Sequence, residues 1–543
     1  MSTSNFIKTI IRKDLEAGKH SKIITRYPPE PNGFMHIGHA YSFIYQYVLA
    51  NEVGGYTNLR FDDTNPVAED TMYVDGLIND FKWLGLEWEN LCFASDYFDE
   101  MYKRAVILIK KGLAYVDDST EQEIRDMRGS LTTPGENSPF RSRTAEESIE
   151  LFENMKNGKY KAGEKVLRAK IDMSSPNMNL RDPLLYRILY ATHHRTGDKW
   201  CIYPMYDFAH SIEDAIEGVT HSLCSIEFAD HRPLYDWVVA ETEMEHTPRQ
   251  IEFGRFNLTN TVMSKRFLRK LVEDGLVNGW DDPRMPTIAG LRRRGYTANS
   301  IREFTGAIGL SKQGGVTEYA MLEQYLRQDL KVSAPRPMAV LNPLKVTITN
   351  YPEDTVELVS GEWNQENEEM GSREIPFSNV IYIEKEDFLE EKPNKKWKRL
   401  SLGLEVRLRH AYFIKCNEII RDENGEIIEL LCTYDTETKS GSGFKDRKPN
   451  GTIHWVDQSG QVAEFRLYDV LLNDGDEDFA DRLNQDSLEV KHGLVEGTLK
   501  NIKSMDKFQF IRNGFYSVDS DSDIENGKYV FNRIVALKSS FKR

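Results

Sequence analysis

Two histidines three residues apart mark the stretch of this chain whose residue types best suit chemistry on a phosphate. His36 and His39 follow a proline-rich segment, 26–35, and precede an apolar run, 41–50, long enough for a helix. A β-branched run at 22–25 predicts a strand before the segment. A strand, a stiff loop and a helix N-terminus together can hold phosphate, because the helix end offers N–H groups and a positive dipole. Both rings could donate to phosphate oxygens, although a histidine pair at a helix start could equally be caps or surface residues.

A second basic motif lies far downstream. The residues V-M-S-K-R at 262–266 place Lys265 in a polar loop, just before a helix that we expect to begin near Phe267. Alone, such a loop is usually only solvated. Together with the histidine motif it would supply the mobile cation that chemistry at phosphorus needs.

These two motifs resemble the paired HIGH and KMSKS signatures of class I aminoacyl-tRNA synthetases. Further blocks make the resemblance closer, and in order and spacing they are similar to the glutaminyl-tRNA synthetase family. The blocks are RYPPEPNGFMHIGHA (26–40), LRFDDTNP (59–66), RAKIDM (168–173), CIYPMYDFAH (201–210), VMSKR (262–266) and DDPRMPTIAGLRRRGY (281–296). The similarity extends over essentially the whole chain.

The resemblance implies a two-step reaction that needs ATP with Mg²⁺ and no structural metal in the protein. Glutamine first attacks ATP to give glutaminyl-adenylate and pyrophosphate, and the tRNA then displaces AMP. Family members form the adenylate only with tRNA bound. The resemblance assigns catalysis to His36, His39 and Lys265. It assigns ATP binding to Glu30, Pro31, Asn32, His36, Ile37, Gly38, His39, Ala40, Tyr41, Ser42, Ser225, Arg255, Phe256, Met263, Ser264 and Lys265.

Five residues are expected to bind glutamine. Asp62 follows a predicted strand, 56–61, at the sheet edge where ligands collect, and the resemblance makes the α-ammonium its partner. By the same resemblance Tyr206, at the end of a predicted strand, 200–208, accepts from the side-chain amide. Arg26 donates to the amide oxygen, and Gln250 holds a bridging water.

Cys224 bears on the choice between glutamine and glutamate. Glutamyl-tRNA synthetases place an arginine at the matching position, where it neutralises the substrate carboxylate. A neutral thiol leaves a glutamate side chain with weaker charge compensation, and burying a poorly paired carboxylate is costly.

The remaining predicted sites would contact glutamine tRNA. Leu131 matches a leucine that wedges open the end of the acceptor stem, although local packing would otherwise explain a lone leucine in a loop. Asp230 matches a residue that reads the acceptor-stem minor groove. Arg336, Gln509 and Arg512 match anticodon contacts.

The fold class predicted is multidomain α/β plus all-β, with a Rossmann-like parallel sheet. We expect residues 1–100 to hold the first half of the catalytic domain with an N-terminal helix, and 101–200 an inserted acceptor-stem-binding domain. Residues 201–260 would complete the catalytic domain, with the parallel sheet resuming at 200. Residues 261–333 would hold the KMSKS-type loop and a helical stem-contact region, and 334–543 two anticodon-binding β-barrels.

Local patterns support this division. Residues 281–329 have a helical pattern, on which Arg292 to Arg294 are expected to be exposed. Beyond Ala334, turn signals at Asn424-Gly425 and at Asn450-Gly451 lie between short β-branched runs and predict hairpins.

Composition sets outer limits. A chain of 543 residues exceeds one core, and no apolar run approaches a membrane span. The five cysteines are scattered without a C-x-x-C pair, which fits a reducing cytoplasm. The net charge of −16 argues weakly against a nucleic-acid partner, because local basic patches can still bind RNA. The family resemblance implies a monomer.

Two alternatives stay open at this point. One is a glutamyl-tRNA synthetase, possibly non-discriminating, against which Cys224 and the long β-rich C-terminal part argue. The other is a non-catalytic tRNA-binding protein, against which the two intact motifs argue.

Overall fold

The computed structural model describes residues 5–67, 71–473, 475 and 478–538. The chain divides into two compact units. The first comprises Met1–Asn257 and Thr305–Thr317, and the second comprises Leu258–Phe304 and Glu318–Arg543.

The first unit begins with alternating helices and strands. Its helices are α1 (Phe6–Glu16), α2 (Ile37–Asn51), α3 (Thr71–Trp83), α4 (Phe98–Lys110), α5 (Glu121–Met127), α6 (Ala145–Lys156), α7 (Tyr206–Ile216) and α8 (Arg232–Glu241). Its strands are β1 (Ile24–Tyr27), β2 (Tyr56–Phe61), β3 (Leu91–Phe93), β4 (Ala114–Asp117), β5 (Val166–Ala169), β6 (Leu184–Ile188), β7 (Ile202–Pro204), β8 (His221–Ser225) and β9 (Arg249–Phe253). The pair β10 (Phe256–Leu258) and β11 (Gly315–Thr317) follows.

Parallel strands form the base of the predicted catalytic half. β1, β2 and β3 are parallel in that order, with Ile24 opposite Tyr56. β8 and β9 are also parallel. The backbone N–H of Thr220 donates to the carbonyl of Ile24 over 3.0 Å, so β8 begins beside β1. Carboxyl ends of parallel strands gather at one edge, and this arrangement confirms the predicted parallel sheet.

The predicted insertion contains an antiparallel sheet in the order β4-β5-β6-β7. It packs on α4 and α6 through a core that includes Leu108, Phe152 and Leu167. The prediction that the parallel sheet resumes at residue 200 is wrong. β7 pairs antiparallel with β6, with Tyr186 opposite Pro204, and belongs to the insertion sheet.

The second unit is helical at first and then rich in strands. Its helices are α9 (Lys265–Glu273), α10 (Ile288–Arg294), α11 (Ala298–Ile308, which ends in the first unit) and α12 (Tyr319–Ser333). The strands are β12 (Ala339–Val340), β13 (Pro343–Ile348), β14 (Glu357–Glu362), β15 (Ser372–Phe377), β16 (Val380–Glu384), β17 (Glu405–Leu408), β18 (Phe413–Arg421), β19 (Ile427–Asp435), β20 (Thr452–Ile453), β21 (Val456–Asp457), β22 (Gln461–Tyr468), β23 (Leu488–Val495), β24 (Lys507–Phe510), β25 (Gly514–Val518) and β26 (Tyr529–Val535). The helical prediction for 281–329 is confirmed at α10, α11 and the start of α12, whereas 281–287, 295–297 and 309–318 are not helical.

Two larger sheets account for most of these strands. One has the order β20-β17-β18-β19-β13-β16-β21 and the other β12-β23-β22-β26-β25-β24. Trp455 is buried in the core of the first, and Phe465 and Phe531 in the core of the second. The predicted β-rich C-terminal part is therefore confirmed, and it has two separate cores.

One of the two predicted hairpin turns is confirmed. β18 and β19 are antiparallel across Asn424-Gly425, and Gly425 has a φ of +83°. At Asn450-Gly451 the prediction is wrong, because the strand that follows pairs in parallel with β17. Gly451 is needed there for close approach, since a Cβ would lie 1.8 Å from the carbonyl oxygen of Lys398.

The expected exposure of Arg292 to Arg294 is also wrong. Arg293 donates to both carboxylate oxygens of Asp519 over 3.0 and 2.9 Å, and Arg294 is 7% exposed. Consecutive residues on a helix point about 100° apart, so three arginines in a row cannot share one solvent face.

Candidate functional site

The two histidines of the first motif are joined to the start of α2. His36 is the N-cap, and its Nδ1 accepts the backbone N–H of Gly38 at 3.1 Å and of His39 at 3.4 Å. The Nδ1 of His39 accepts the backbone N–H of His36 at 3.4 Å, and the two rings stack 3.6 Å apart. When neutral, each ring must therefore carry its proton on Nε2. The helix end thus presents two imidazole donors, while two of its own N–H groups are already capped.

Other predicted ATP-binding residues of the first unit lie around this helix start. Tyr41 stacks on Phe256 with ring centres 4.8 Å apart and donates to the carbonyl of Gly309 over 2.8 Å. Asn32 donates to Glu30, and exposed Arg255 pairs with Glu227. Pro31, Ile37 and Ala40 are buried, Gly38 lies in the first turn, and the Ser42 hydroxyl accepts from Gln46. The Ser225 hydroxyl, at the end of β8, is buried and has no hydrogen-bond partner in the described part of the chain.

Asp62 is a buried carboxylate at the end of β2. It is 7% exposed and accepts one side-chain hydrogen bond, from the Thr64 hydroxyl at 2.9 Å. It forms no ion pair with any residue that the structure describes. Burial, reinforced by the charge of Glu30, raises the pKa of Asp62 to about 6. A carboxylate held in this way is suited to a cation from outside the chain.

Arg26 lies within β1 and is fully buried. Its Nε donates to Asp214 over 2.9 Å and its Nη1 to the carbonyl of Leu223 over 2.9 Å. Its Nη2 lies 3.6 Å from the Cys224 sulfur. Asp214 also binds Arg60, at 2.9 Å. The two guanidinium groups hold the pKa of Asp214 far below its ordinary value despite its burial, so Asp214 stays charged and fixes the orientation of Arg26.

His210 lies at the centre of the predicted glutamine pocket. Its ring stacks on Tyr206 with centres 5.2 Å apart, and its Nε2 lies 3.4 Å from Arg26 and 3.9 Å from Cys224. Burial and the charges of Arg26 and Arg60 lower the pKa of His210 to about 3 against the opposing effect of Asp214. The ring is therefore neutral at physiological pH.

Cys224, Tyr206 and Gln250 are also uncharged, so the charged members of the predicted glutamine-binding set are Asp62 and Arg26, the latter paired with Asp214. Burial raises the pKa of the Cys224 thiol and that of the Tyr206 hydroxyl, so both keep their protons. Gln250 donates to the carbonyl of Phe228 over 3.1 Å and to Glu252 over 3.0 Å. Tyr206 is the first residue of α7, so its predicted place at a strand end is wrong.

A histidine pair next to this pocket has the composition of a metal site. The ligand atoms of Asp63, His193 and His194 all lie within 4.8 Å of one another. His193 Nε2 donates to the backbone carbonyl of Asp63 over 2.7 Å, and its Nδ1 accepts the N–H groups of Arg195 and Thr196. Both ring nitrogens are thus engaged by the chain, and hydrogen bonding explains the cluster.

Leu131 projects from a short loop after α5. Its side chain is 83% exposed, which excludes local packing as its role. Arg181 holds the loop from below, because its Nη1 donates to the carbonyls of Arg128, Ser130 and Thr133 at 2.9 Å each. Asp230 is also exposed, and its carbonyl accepts from Asn177. A fixed loop with an exposed apolar tip is suited to insertion between stacked bases.

The second motif belongs to the second unit. Met263 is 8% exposed, Ser264 is the N-cap of α9, and Lys265 is the first helical residue. The predicted helix start near Phe267 is therefore two residues late.

The predicted anticodon contacts lie in the same unit. Arg336 donates to the carbonyl of Lys331 over 2.9 Å, and Gln509 lies on β24. Arg512 makes two hydrogen bonds to the buried carboxylate of Asp387, at 2.5 and 2.7 Å. This pair holds the Arg512 guanidinium in place.

Sequence reasoning missed four residues that organise these sites: Arg60, Arg181, His210 and Asp214. His210 and Asp214 are four residues apart on α7, and a histidine and an acid at that helical spacing were the available signal. No helix among the described residues is long and apolar enough to cross a membrane.

Family models match most of the chain. A family model described as "tRNA synthetases class I (E and Q), catalytic domain" matches residues 22–332. Two models described as "tRNA synthetases class I (E and Q), anti-codon binding domain" match residues 334–435 and 452–519.

Relatives align with the chain from end to end. A glutamine–tRNA ligase of Clostridium perfringens is 59% identical, over 99% of this chain and 99% of its own length. One of Clostridioides difficile is 59% identical, over 100% and 99%, and one of Pseudoalteromonas atlantica is 53% identical, over 99% and 98%. The chain therefore belongs to the glutamine–tRNA ligases of the class I tRNA synthetase family (E and Q).

Proposed function

We propose that this protein ligates L-glutamine to the 3′ end of glutamine tRNA in an ATP-dependent reaction through glutaminyl-adenylate, releasing AMP and pyrophosphate. The observation that carries the proposal is the buried pocket around His210. There Asp62, which has no ion-pair partner among the described residues, belongs to a set with neutral hydrogen-bonding groups and with Arg26, whose charge Asp214 already balances. This is the complement of an amino acid with a charged α-ammonium and an uncharged polar side chain.

Asp62 binds the α-ammonium, which supplies the ion pair that the carboxylate lacks among the described residues. Tyr206 and Arg26 bind the side-chain amide, and Gln250 orients a water beside it. The protonated thiol of Cys224 adds no charge to the pocket. The charge of Arg26 is already balanced by Asp214, so Arg26 offers a substrate carboxylate little charge compensation. Sites built to hydrogen-bond a particular polar group can discriminate by about 10⁴-fold.

His36, His39 and Lys265 act on the phosphates of ATP. The Nε2–H groups of the two histidines donate to phosphate oxygens, and Lys265 neutralises the charge that develops as pyrophosphate leaves. The remaining residues of the predicted ATP set, from Glu30 to Ser42 and at Ser225, Arg255, Phe256, Met263 and Ser264, hold the nucleotide. Mg²⁺ would accompany ATP and supply further charge neutralisation. No side-chain nucleophile is required, because positioning and electrostatic stabilisation suffice.

The tRNA is held at both of its ends. Leu131 wedges into the end of the acceptor stem, and Asp230 reads the adjacent minor groove. Arg336, Gln509 and Arg512 contact the anticodon loop, where unstacked bases expose their edges. A ribose hydroxyl of the terminal adenosine then attacks the adenylate carbonyl and displaces AMP.

The proposal also covers the domain organisation of the protein and its location in the cell. Residues 1–100 and 201–260 form the catalytic domain, 101–200 the acceptor-stem insertion, 261–333 the stem-contact region and 334–543 the anticodon-binding part. The protein works as a monomer in the cytoplasm, where its five cysteines, all free thiols, stay reduced.

The test is ATP–pyrophosphate exchange with glutamine and glutamine tRNA present, in the wild type and in His39→Ala and Lys265→Ala. Each variant should lose kcat by about 100-fold or more, with much smaller changes in KM, because the contacts act mainly in the transition state. The matched control is Lys270→Ala, which removes an exposed lysine from the same helix as Lys265. A normal rate in either test variant would contradict the mechanism.

A further inference from the structure

A cavity within the second unit has a basic lining that the proposed reaction does not use. It has a volume of about 230 Å³. Its walls are the segment 260–262, the residues around α10, one face of α12, and the chain at 468–472 and 533–538. The charged residues of the lining are Arg284, Arg294, Arg327, Arg533, Lys538, Glu323 and Asp469.

Arg294 is a deeply buried cation of this cavity, and it forms no ion pair with any acid that the structure describes. It is 7% exposed, and its donors reach only two backbone carbonyls, of Arg533 at 3.3 Å and of Tyr468 at 3.5 Å. Arg533 shares the Tyr468 carbonyl at 3.4 Å. Neither arginine forms an ion pair with a carboxylate in the part of the chain that the structure describes. The two guanidinium groups share the Tyr468 carbonyl, and Glu323, the acid whose charge reaches Arg294, is already paired with Arg327.

Arg327 supplies a donor without a partner. It is 9% exposed, its Nε donates to the carbonyl of Ala536 over 2.7 Å, and its Nη2 pairs with Glu323 at 2.9 Å. Its Nη1 is buried and has no hydrogen-bond partner among the residues that the structure describes. By contrast, Arg284 pairs with Asp282 at 2.8 Å, so its charge is already balanced.

Buried cations of this kind call for an anion. Leaving a charged group buried without a partner is costly, and a buried donor without an acceptor carries its full desolvation cost. The rest of the lining, including Met285, Leu291, Leu471 and Val535, is apolar. A low local dielectric strengthens any ion pair formed there. Guanidinium groups match the oxygens of phosphate in geometry as well as charge.

We propose that this cavity binds a small phosphate-bearing anion on Arg294, Arg327 and Arg533. Arg294 and Arg327 are more than nine-tenths buried, so the ligand must enter the cavity. A compact anion can do so, whereas a phosphate within an RNA backbone is held at the surface by its neighbours. The site is separate from the residues assigned to glutamine, ATP and tRNA, and its wall includes Thr261 and Val262, directly before Met263.

The test uses inorganic phosphate and pyrophosphate as probes, with calorimetric binding to the full chain at constant ionic strength. A non-hydrolysable ATP analogue saturates the nucleotide site, so that the measured heat comes only from probe binding at other sites. The wild type should bind at least one probe. Arg294→Gln and Arg327→Gln should each weaken that binding about 10- to 100-fold, as for a lost hydrogen bond to a charged group. The matched control, Arg302→Gln on exposed α11 surface, should bind as the wild type does.

Folding is checked by the melting temperature of each variant without anion. Arg294→Gln should melt no lower than the wild type, because it removes a buried charge that lacks an acid. If it does melt lower, half-buried Arg533→Gln provides the same binding test. Equal binding of both probes by the wild type and all variants would overturn the proposal. So would failure of both probes to bind any protein while Arg294→Gln weakens tRNA binding, since the cavity would then belong to the RNA-binding surface.

Discussion

Asp62→Asn should stabilise the protein while it abolishes glutamine binding. Asp62 is buried at the end of β2 with one hydroxyl partner, Thr64, and no ion pair among the described residues. Asparagine keeps an oxygen that can accept from Thr64 and removes only the charge. The substitution therefore isolates the cost of holding a carboxylate ready for a cation.

The size of the effect follows from the pKa of Asp62. In the folded protein it is about 6, against an ordinary value of 3.8, and each pKa unit corresponds to about 1.36 kcal/mol. The folded state binds the proton more tightly than the unfolded state does. The destabilisation is therefore complete above pH 6 and disappears as the pH falls towards 4. We expect the free energy of unfolding of the variant to exceed that of the wild type by about 3 kcal/mol at pH 8 and by about half of that at pH 5.

The assay is urea unfolding of both proteins at the two pH values, followed by tryptophan fluorescence. The adjacent Asp63→Asn is the matched control, for which we expect a loss of stability instead of a gain. Asp63 is fully buried and accepts the N–H and the hydroxyl of Ser95 at 2.7 and 2.6 Å and a bond from His194 at 3.1 Å. Losing these charge-assisted bonds should destabilise the protein by about 2 kcal/mol.

Saturating glutamine should reduce the difference in stability between the two proteins, because its ammonium group pairs with Asp62 in the wild type and finds no charge in the variant. The reasoning is refuted if Asp62→Asn is no more stable than the wild type at pH 8, or if the difference does not shrink between pH 8 and pH 5.

Three further predictions concern other parts of the site. Leu131→Ala should lower the charging of a tRNA whose terminal acceptor-stem base pair is intact. The loss should be several-fold larger than for a tRNA with a mismatch at that pair, which is already open. The stability of the protein should not change, because the side chain is exposed. Cys224→Arg should raise the ratio of kcat/KM for glutamate over glutamine by at least about tenfold, since one buried positive charge is added where the thiol was neutral. Asp214→Asn should destabilise the protein by about 3 kcal/mol and raise KM for glutamine, because it leaves buried Arg26 without its acid. Asp207→Asn on the same helix, partly exposed in its pair with His231, should cost less than about 1 kcal/mol.

Local signals carried the sequence predictions that succeeded. Proline and glycine positions bounded the histidine motif, and the turn residues Asn424-Gly425 located the hairpin between β18 and β19. The long-range resemblance supplied the order of the domains. None of this depended on how distant segments pack.

The failures have physical causes. The aromatic run before Tyr206 has the composition of a strand, yet Pro204 ends that strand and Tyr206 begins α7. The pairing of Arg26 with Asp214 joins residues 188 positions apart, so no spacing could reveal it. Arg294 looked like surface charge because its burial depends on the later strands that pack around it.

The most direct test of the central claim is the charging of glutamine tRNA with glutamine and, separately, with glutamate, compared as kcat/KM. The neutral groups His210 and Cys224, together with an Arg26 whose charge Asp214 balances, predict a preference for glutamine of about 10³-fold or more. Comparable charging with both amino acids would contradict the account of the pocket. No charging with either, while the tRNA still binds, would contradict the proposed activity itself.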